Sequence, residues 1–348
     1  METRPGNDRT ELLGMNLQEL EIVVENLQLP RFTAKQLARW IYVKRCSDFN
    51  AMSDISQKGR EILADRCVIG LSAAIKTSKS ADGSKKYLFA ARHGFVESVY
   101  IPEKDRATLC ISSQAGCRMG CKFCATGGMG FKGNLSAGEI INQVLSVEES
   151  DRLTNIVYMG MGEPLDNLPA VMKSMEILQA PYASAMSYKR ITLSTVGIIP
   201  ALKRFLDESS CHVAISVHAA SPEKRALIVP AEKAYPVKEV VALLREYDWS
   251  HQRRISFEYT LLGNVNDSTQ DAIELAALVK GIDCRINLIP YHDSGRGGFS
   301  PSSAEATEKF IKILEQKHIN TTVRRSRGKD IDAACGMLSA KQTNKRNA

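Results

Sequence analysis

Residues 107–127 read ATLCISSQAGCRMGCKFCATG: an apolar, strand-like run that breaks into a glycine-containing loop bearing three cysteines. Cys117, Cys121 and Cys124 form a CxxxCxxC array. With three and two residues between them, three thiolates on one loop can converge on a single centre. Cubane iron–sulfur clusters are held by Cys thiolates, normally four. Three leave one iron with an open position that a substrate or cofactor can occupy. The competing reading is structural zinc, which is normally closed by four protein ligands. Cys110 is the nearest fourth thiol, but it lies on the strand rather than in the loop.

Outward from this loop, strand and helix alternate. ATLCISS, NIVYMGM, RITLSTVG, CHVAISVHA, RISFEYTLL and CRINLIPYH read as strands. Their nearly continuous apolar character is that of strands covered on both faces. Between or after them come helical patterns: AGEIINQVLSVEES, AVMKSMEILQA, IPALKRFLDES, VKEVVALLREYD, QDAIELAALVK and AEATEKFIKILEQK. Six such units without a convincing seventh or eighth predict an α/β fold, an open, partial (β/α)6 barrel over 107–340. In such folds the chemistry sits at the C-terminal ends of strands.

Upstream, residues 1–75 read as a helical module. Leu17, Leu20, Val24 and Leu27 recur at helical spacing until Pro30; Leu37, Trp40 and Ile41 then share one face, and Ile55, Ile62 and Leu63 follow. Small helical modules of this kind often contact nucleic acid, though packing explains the pattern equally well. KKYLFAA and FVESVYIP flank Arg92-His93-Gly94 as a β-hairpin within a linker over 76–106. Residues 341–348 form a basic tail with Lys341, Lys345 and Arg346.

The 348 residues carry 46 Lys+Arg against 39 Asp+Glu, a net charge of +7 that permits a nucleic-acid partner without demanding one. Arg324, Arg325, Arg327 and Lys329 crowd one short segment and, with Lys122 and Lys132, are candidates to grip phosphate. A hydrophobic share of 44% with 24% charged residues is that of a globular protein. No apolar run approaches bilayer length, and METRPGNDRTELLG has no signal-peptide core, so the chain is expected in the cytoplasm with no membrane partner. Nine cysteines in a reducing compartment are thiols, ligands or catalysts. Cys46, Cys67, Cys211 and Cys284 read as small buried hydrophobes, whereas Cys335 stands alone near the C-terminus.

CxxxCxFC after the first strand, with Met159-Gly-Met-Gly-Glu-Pro164 ending the second, resembles the radical S-adenosylmethionine (SAM) superfamily. Gly160-x-Gly162 is no dinucleotide loop, because Leu165 stands where a third glycine would be needed. RATLCISSQAGC, CKFCATG, NIVYMGMGEP, ITLSTVGIIPAL, AISVHAAS, NLIPYH and RGKDIDAACG run in order along the chain. Together they resemble the RlmN/Cfr family of radical SAM RNA-adenine methyltransferases.

That resemblance implies a single [4Fe–4S] cluster per chain on Cys117, Cys121 and Cys124. It implies a pair of SAM molecules per turnover, with Gly162, Glu163, Ser194, Ser216, Val217 and His218 as SAM contacts. His292 stands where the family usually has Asn. Cys335 matches the methyl-accepting cysteine, Cys110 the second catalytic cysteine and Glu97 the proton acceptor.

The implied chemistry starts with methyl transfer to the Cys335 thiolate, since the ring carbons of adenine are too electron-poor to attack SAM. A 5′-deoxyadenosyl radical then abstracts hydrogen from that methyl, the carbon radical adds to the ring, and Cys110 resolves the protein–RNA thioether as a disulfide. The family methylates C2 or C8 of one 23S rRNA adenine, and the C2 branch also modifies the adenine beside the tRNA anticodon. Pro164 and Pro290 resemble the C2 branch. The resemblance further implies an electron donor such as flavodoxin or ferredoxin and a monomeric enzyme. The alternatives are C8 methylation, a radical SAM enzyme with another substrate, and a non-catalytic iron–sulfur or zinc protein that binds RNA.

Overall fold

The protein is described here from a computed structural model over residues 9–249 and 255–340. The expected basic tail, 341–348, lies outside the described residues.

Ten strands form one sheet whose spatial order follows chain order from end to end. They are β1 (Lys76–Lys79), β2 (Lys85–Ala91), β3 (Gly94–Pro102), β4 (Ala107–Cys110), β5 (Asn155–Tyr158), β6 (Ile191–Thr195), β7 (His212–Ser216), β8 (Ile255–Leu261), β9 (Cys284–Pro290) and β10 (Asn320–Val323). Pairing is antiparallel from β1 to β4 and parallel from β4 to β10. The parallel part is the expected partial barrel: its order is linear, so it stays open.

Each parallel step needs a crossover, and helices supply it. Ala137–Leu145 joins β4 to β5, Leu168–Gln179 joins β5 to β6, and Ile199–Glu208 joins β6 to β7. Pro222–Ile228 with Val237–Leu244 joins β7 to β8, Thr269–Leu278 joins β8 to β9, and Ala304–Gln316 joins β9 to β10. Starts are set by local chemistry: Ser136 with Glu139 and Ser268 with Asp271 form reciprocal capping boxes. β8 is buried at all seven positions, as a central strand covered on both faces should be.

Two strands of this sheet were not expected. β10, Asn-Thr-Thr-Val, is a seventh parallel strand at the open edge, where exposure removes the apolar signature. β1, Lys-Thr-Ser-Lys, is likewise a polar edge strand that turns the hairpin into a three-stranded meander. That meander is fused to the barrel sheet through Val99↔Cys110 register pairing.

The N-terminal module has helices Leu17–Asn26 and Thr33–Ala38, the second running into a π-helical turn at Arg39–Val43, then Gln57–Arg66. Leu20, Val24, Leu37, Ile41 and Leu63 are buried in a core continuous with that of the barrel. Leu17 N–H donates to Tyr182 Oη at 3.2 Å, in the turn after one crossover helix, and Ser72 N–H to Asn142 Oδ1 at 2.8 Å, within another, fixing the module against the barrel. No helix among the described residues is long and apolar enough to cross a membrane.

Candidate active site

The cysteine loop leaves β4 and is pinched at its base by a small antiparallel ladder, Gln114–Gly116 against Phe131–Asn134. Gly116 is obligatory there: its φ is +72°, and a Cβ would lie 1.8 Å from Gly130 O. Gln114 is wholly buried and ties this loop to the next strand end. Its amide donates to Asn134 Oδ1 and Asp166 Oδ2, both at 2.8 Å, and its Oε1 accepts from Glu163 N at 2.9 Å.

Beyond the ladder, Cys117, Cys121 and Cys124 line one cavity of about 160 Å³ with Gly162, Glu163, Ser194, Ser216 and His218. None of the nine cysteines is in a disulfide. Burial pushes Cys117 up to about 12 and raises Cys121 further, with the neighbouring thiols of the loop adding to the effect. Metal binding at such a site displaces protons.

No group of three or more His, Cys, Asp or Glu side chains among the described residues is drawn together around one ion-sized point. A cubane does not ask for that, because each thiolate meets its own iron. An all-sulfur donor set suits iron–sulfur chemistry, and polar groups opposite it suit a bound sulfonium amino acid. The residues present fit a [4Fe–4S] cluster with SAM.

Glu163 is buried at the end of β5, and its carboxylate serves the scaffold first. Oε1 accepts from Thr195 Oγ1 at 2.5 Å and Leu165 N at 3.1 Å, and Oε2 from Val196 N at 3.0 Å. A carboxylate has about four acceptor sites, so roughly one remains for a ligand amine. Burial lifts its pKa to about 7 against those donors.

His218 has φ +58° and is buried edge-on to Phe123, ring centroids 4.8 Å apart. Its Nδ1 accepts from Thr260 N at 3.0 Å, so a neutral ring carries its proton on Nε2. Burial, aided by Arg225, lowers its pKa to about 3 and keeps it neutral. Arg225, wholly buried, donates to the carbonyls of Val196, Ser216 and Val217 at 3.0, 3.0 and 2.9 Å, and to Glu232 at 2.5 Å. It thereby joins the ends of β6 and β7, a role that no sequence pattern announced.

Two expected contacts lie elsewhere. The Val217 side chain is in the core, leaving its backbone for the site. His292 lines a second, outer cavity of about 710 Å³ and pairs with Ser326 Oγ at 2.5 Å.

The outer cavity runs along the barrel interior from the strand starts at Asn155, Thr192, His212 and Ser256, and Cys335 lies where it meets the inner one. Cys335 is exposed and Cys110 is buried beside it, with burial pushing the Cys110 thiol up to about 12. Arg324 turns inward from β10 rather than outward to solvent. Its guanidinium donates to Met159 Sδ at 3.3 Å and stands 4.0 Å from Glu258 Oε2. The charges of Cys335, Glu258 and Cys110 raise its pKa against desolvation. Of the expected phosphate-gripping residues, Arg324, Arg325 and Arg327 line the outer cavity, and Arg324 lines the inner one as well, beside Cys335.

The Cys335 segment is stitched down from two sides. Ala125 N–H donates to Gly336 O at 2.7 Å and Thr126 Oγ1 to Leu338 O at 2.7 Å. From the meander, Asp82 Oδ2 accepts from Gly328 N at 2.9 Å, and Ser80 Oγ donates to Asp330 Oδ1 at 2.6 Å. Glu97, buried in β3, pairs with Lys86 at 3.1 Å and accepts from Ser339 N and Ala340 N at 3.0 Å each. The meander is thus a clasp for the segment rather than a passive linker.

Comparison with known proteins agrees with this architecture. The profile described as the radical SAM superfamily matches residues 111–276, and that of the ribosomal RNA large subunit methyltransferase N-terminal domain matches residues 10–69. The RlmN homologue of Parabacteroides distasonis is 51% identical over 333 residues, covering 95% of this chain and 97% of its own. The dual-specificity RNA methyltransferase RlmN of Syntrophobacter fumaroxidans is 42% identical over 329 residues, covering 93% and 96%. The crystal structure of a radical SAM methyltransferase from Sphaerobacter thermophilus superposes with a TM-score of 0.91 at 38% identity, over 95% of this chain and 100% of that one.

Proposed function

The chain belongs to the RlmN family of radical SAM RNA methyltransferases, and from that membership we propose that it methylates C2 of one adenine in 23S rRNA and of the adenine beside the tRNA anticodon. The observation that carries the reading is the pair of thiols, Cys110 and Cys335, that share the Arg324 guanidinium at the rim of a cavity lined by three further cysteines. Bound at Cys117, Cys121 and Cys124, the [4Fe–4S] cluster with SAM supplies the one-electron cleavage needed to activate a methyl C–H bond.

Cys335, exposed at the rim, takes up the methyl group as a thiolate nucleophile. Cys110, buried and protonated at neutral pH, is held in reserve until the adduct exists. It then attacks the Cys335 sulfur, forming the disulfide as methyladenine leaves. Glu97 takes the proton lost from the ring carbon. Gly162, Glu163, Ser194, Ser216, the Val217 backbone and His218 hold SAM, while His292, expected as a further SAM contact, lines the outer cavity.

The helical module of residues 1–75 contributes RNA contact, 76–106 supports the Cys335 segment, and 107–340 carries the chemistry. The enzyme works as a cytoplasmic monomer with flavodoxin or ferredoxin as electron donor. The target adenine must be splayed from its neighbours to reach the rim.

Pro164 and Pro290 favour C2 over C8. A non-catalytic RNA-binding role would leave the paired thiols without purpose. Nucleoside mass spectrometry of RNA from cells lacking the gene tests the reading. Loss of 2-methyladenosine supports it, and loss of 8-methyladenosine assigns the other branch.

A further inference from the structure

Five residues line both cavities and so form the neck between them: Met159, Glu258, Ile289, Arg324 and Cys335. Glu258 is the unexpected member. It sits mid-strand in β8, 2% exposed, where a carboxylate is costly unless its oxygens are satisfied. Oε1 is satisfied, accepting from Asn287 Nδ2 at 2.7 Å and Ser256 Oγ at 3.2 Å. Among the described residues Oε2 accepts no hydrogen bond, and the Arg324 guanidinium stands 4.0 Å from it. The neck therefore presents a fixed acceptor, Glu258 Oε2, then a fixed donor, Arg324, then the Cys335 sulfur within the field of that donor.

The edge of adenine carries the matching series. The exocyclic N6–H is a donor, the adjacent ring nitrogen an acceptor, and the ring carbon beside that nitrogen is the one methylated. The order holds on either edge, N6–N1–C2 or N6–N7–C8. Guanine would turn its O6 acceptor toward the carboxylate. Paired donor and acceptor contacts of this kind are how side chains recognise adenine in general.

We propose that Glu258 and Arg324 read the target base, Glu258 Oε2 accepting from the adenine amino group and Arg324 donating to the neighbouring ring nitrogen, so that the reacting carbon is delivered to Cys335. This rests on the reading that the enzyme methylates adenine in RNA. Asn287 is a positioning residue in this scheme, since its amide holds Oε1 and thereby aims Oε2 at the neck.

The test is a competition between two substrate RNAs in one reaction of the reconstituted enzyme. One carries adenine at the target position and the other carries purine, which lacks only the amino group. A hydrogen bond to a charged group is worth enough to give adenine a preference of roughly 10–100-fold in kcat/KM. In Glu258→Gln, Asn287 still pins the side-chain carbonyl and the new amide NH2 faces the neck. Methylation of adenine should fall, and the preference for it over purine should collapse to within a few-fold. The chemical effect of the missing amino group is the same for both enzymes, so the change in ratio isolates Glu258. The wild-type ratio needs no variant and stands even where Glu258→Gln fails to fold. Equal use of adenine and purine by the wild type, or an unchanged preference in Glu258→Gln, overturns the assignment while leaving the enzyme an RNA methyltransferase. A wild type that methylates no RNA adenine at all overturns both readings.

Discussion

Ser339 N–H donates to Glu97 Oε2 at 3.0 Å, and Ala340 N–H donates to the same oxygen at the same distance. The carboxylate proposed to receive the substrate proton is therefore also the anchor of the segment that carries Cys335. Glu97→Gln loses the ion pair with Lys86 and weakens this anchor. Amide hydrogen exchange at Ser339 and Ala340 should quicken by about tenfold, as for loss of a hydrogen bond to a charged acceptor. Unchanged exchange at both amides would assign the segment's position to its other anchors, Ala125, Thr126, Asp82 and Ser80.

The two catalytic thiols differ in burial, and their reactivity should differ with it. Iodoacetamide near neutral pH should modify exposed Cys335 well before Cys110, whose thiol is pushed up to about 12. Peptide mass spectrometry reads the order directly.

Substitution separates the same two residues in catalysis. Cys335→Ala removes the methyl carrier, so neither methylated RNA nor an adduct should form. Cys110→Ala should accumulate as protein covalently bound to RNA, seen as a nuclease-sensitive mass increase under denaturing conditions. The double variant should behave as Cys335→Ala does. Normal turnover by Cys110→Ala would contradict the two-thiol scheme.

The raised carboxyl of Glu163 has a consequence for stability. Its pKa of about 7 in the folded protein compares with an ordinary 4.5. Between those values the folded state keeps a proton that the unfolded chain has released. The stabilisation is full below pH 4.5 and is lost as pH rises through 7, a total of about 3 kcal/mol. Urea denaturation of the wild type and of Glu163→Gln at pH 5 and pH 7.5 should show this slope only in the wild type.

Arg225→Met should destabilise the fold by about 3–5 kcal/mol, because it leaves Glu232 buried without its partner. It also releases the carbonyls of Val196, Ser216 and Val217, so SAM binding should fall in whatever fraction remains folded. A denaturation midpoint close to that of the wild type would show that Glu232 finds another donor.

Gly162→Ala should fail for a steric reason. The backbone there has φ +97°, and a Cβ would lie 2.5 Å from Gln114 Cβ. Strain of this kind costs about 1–3 kcal/mol, a fall in Tm of several degrees.

The chain's own sequence determined the alternation of strands and helices, because buried parallel strands and amphipathic crossovers each repeat with their own period. It also determined the three-cysteine loop, since ligands carried on one short loop need no distant partner. Edge strands β1 and β10 escaped it, because Lys-Thr-Ser-Lys and Asn-Thr-Thr-Val are exposed and carry no apolar period. Only the tertiary structure decided that Arg324, just past β10, reaches Met159 and Glu258 beside the thiols while lining the outer cavity together with Arg325 and Arg327. It alone set Arg324 beside Cys110 and Cys335 and placed Glu258 in the neck between the cavities. Those partners are far apart in the chain, and a carboxylate in an apolar strand acquires its meaning only from what the folded sheet sets opposite it.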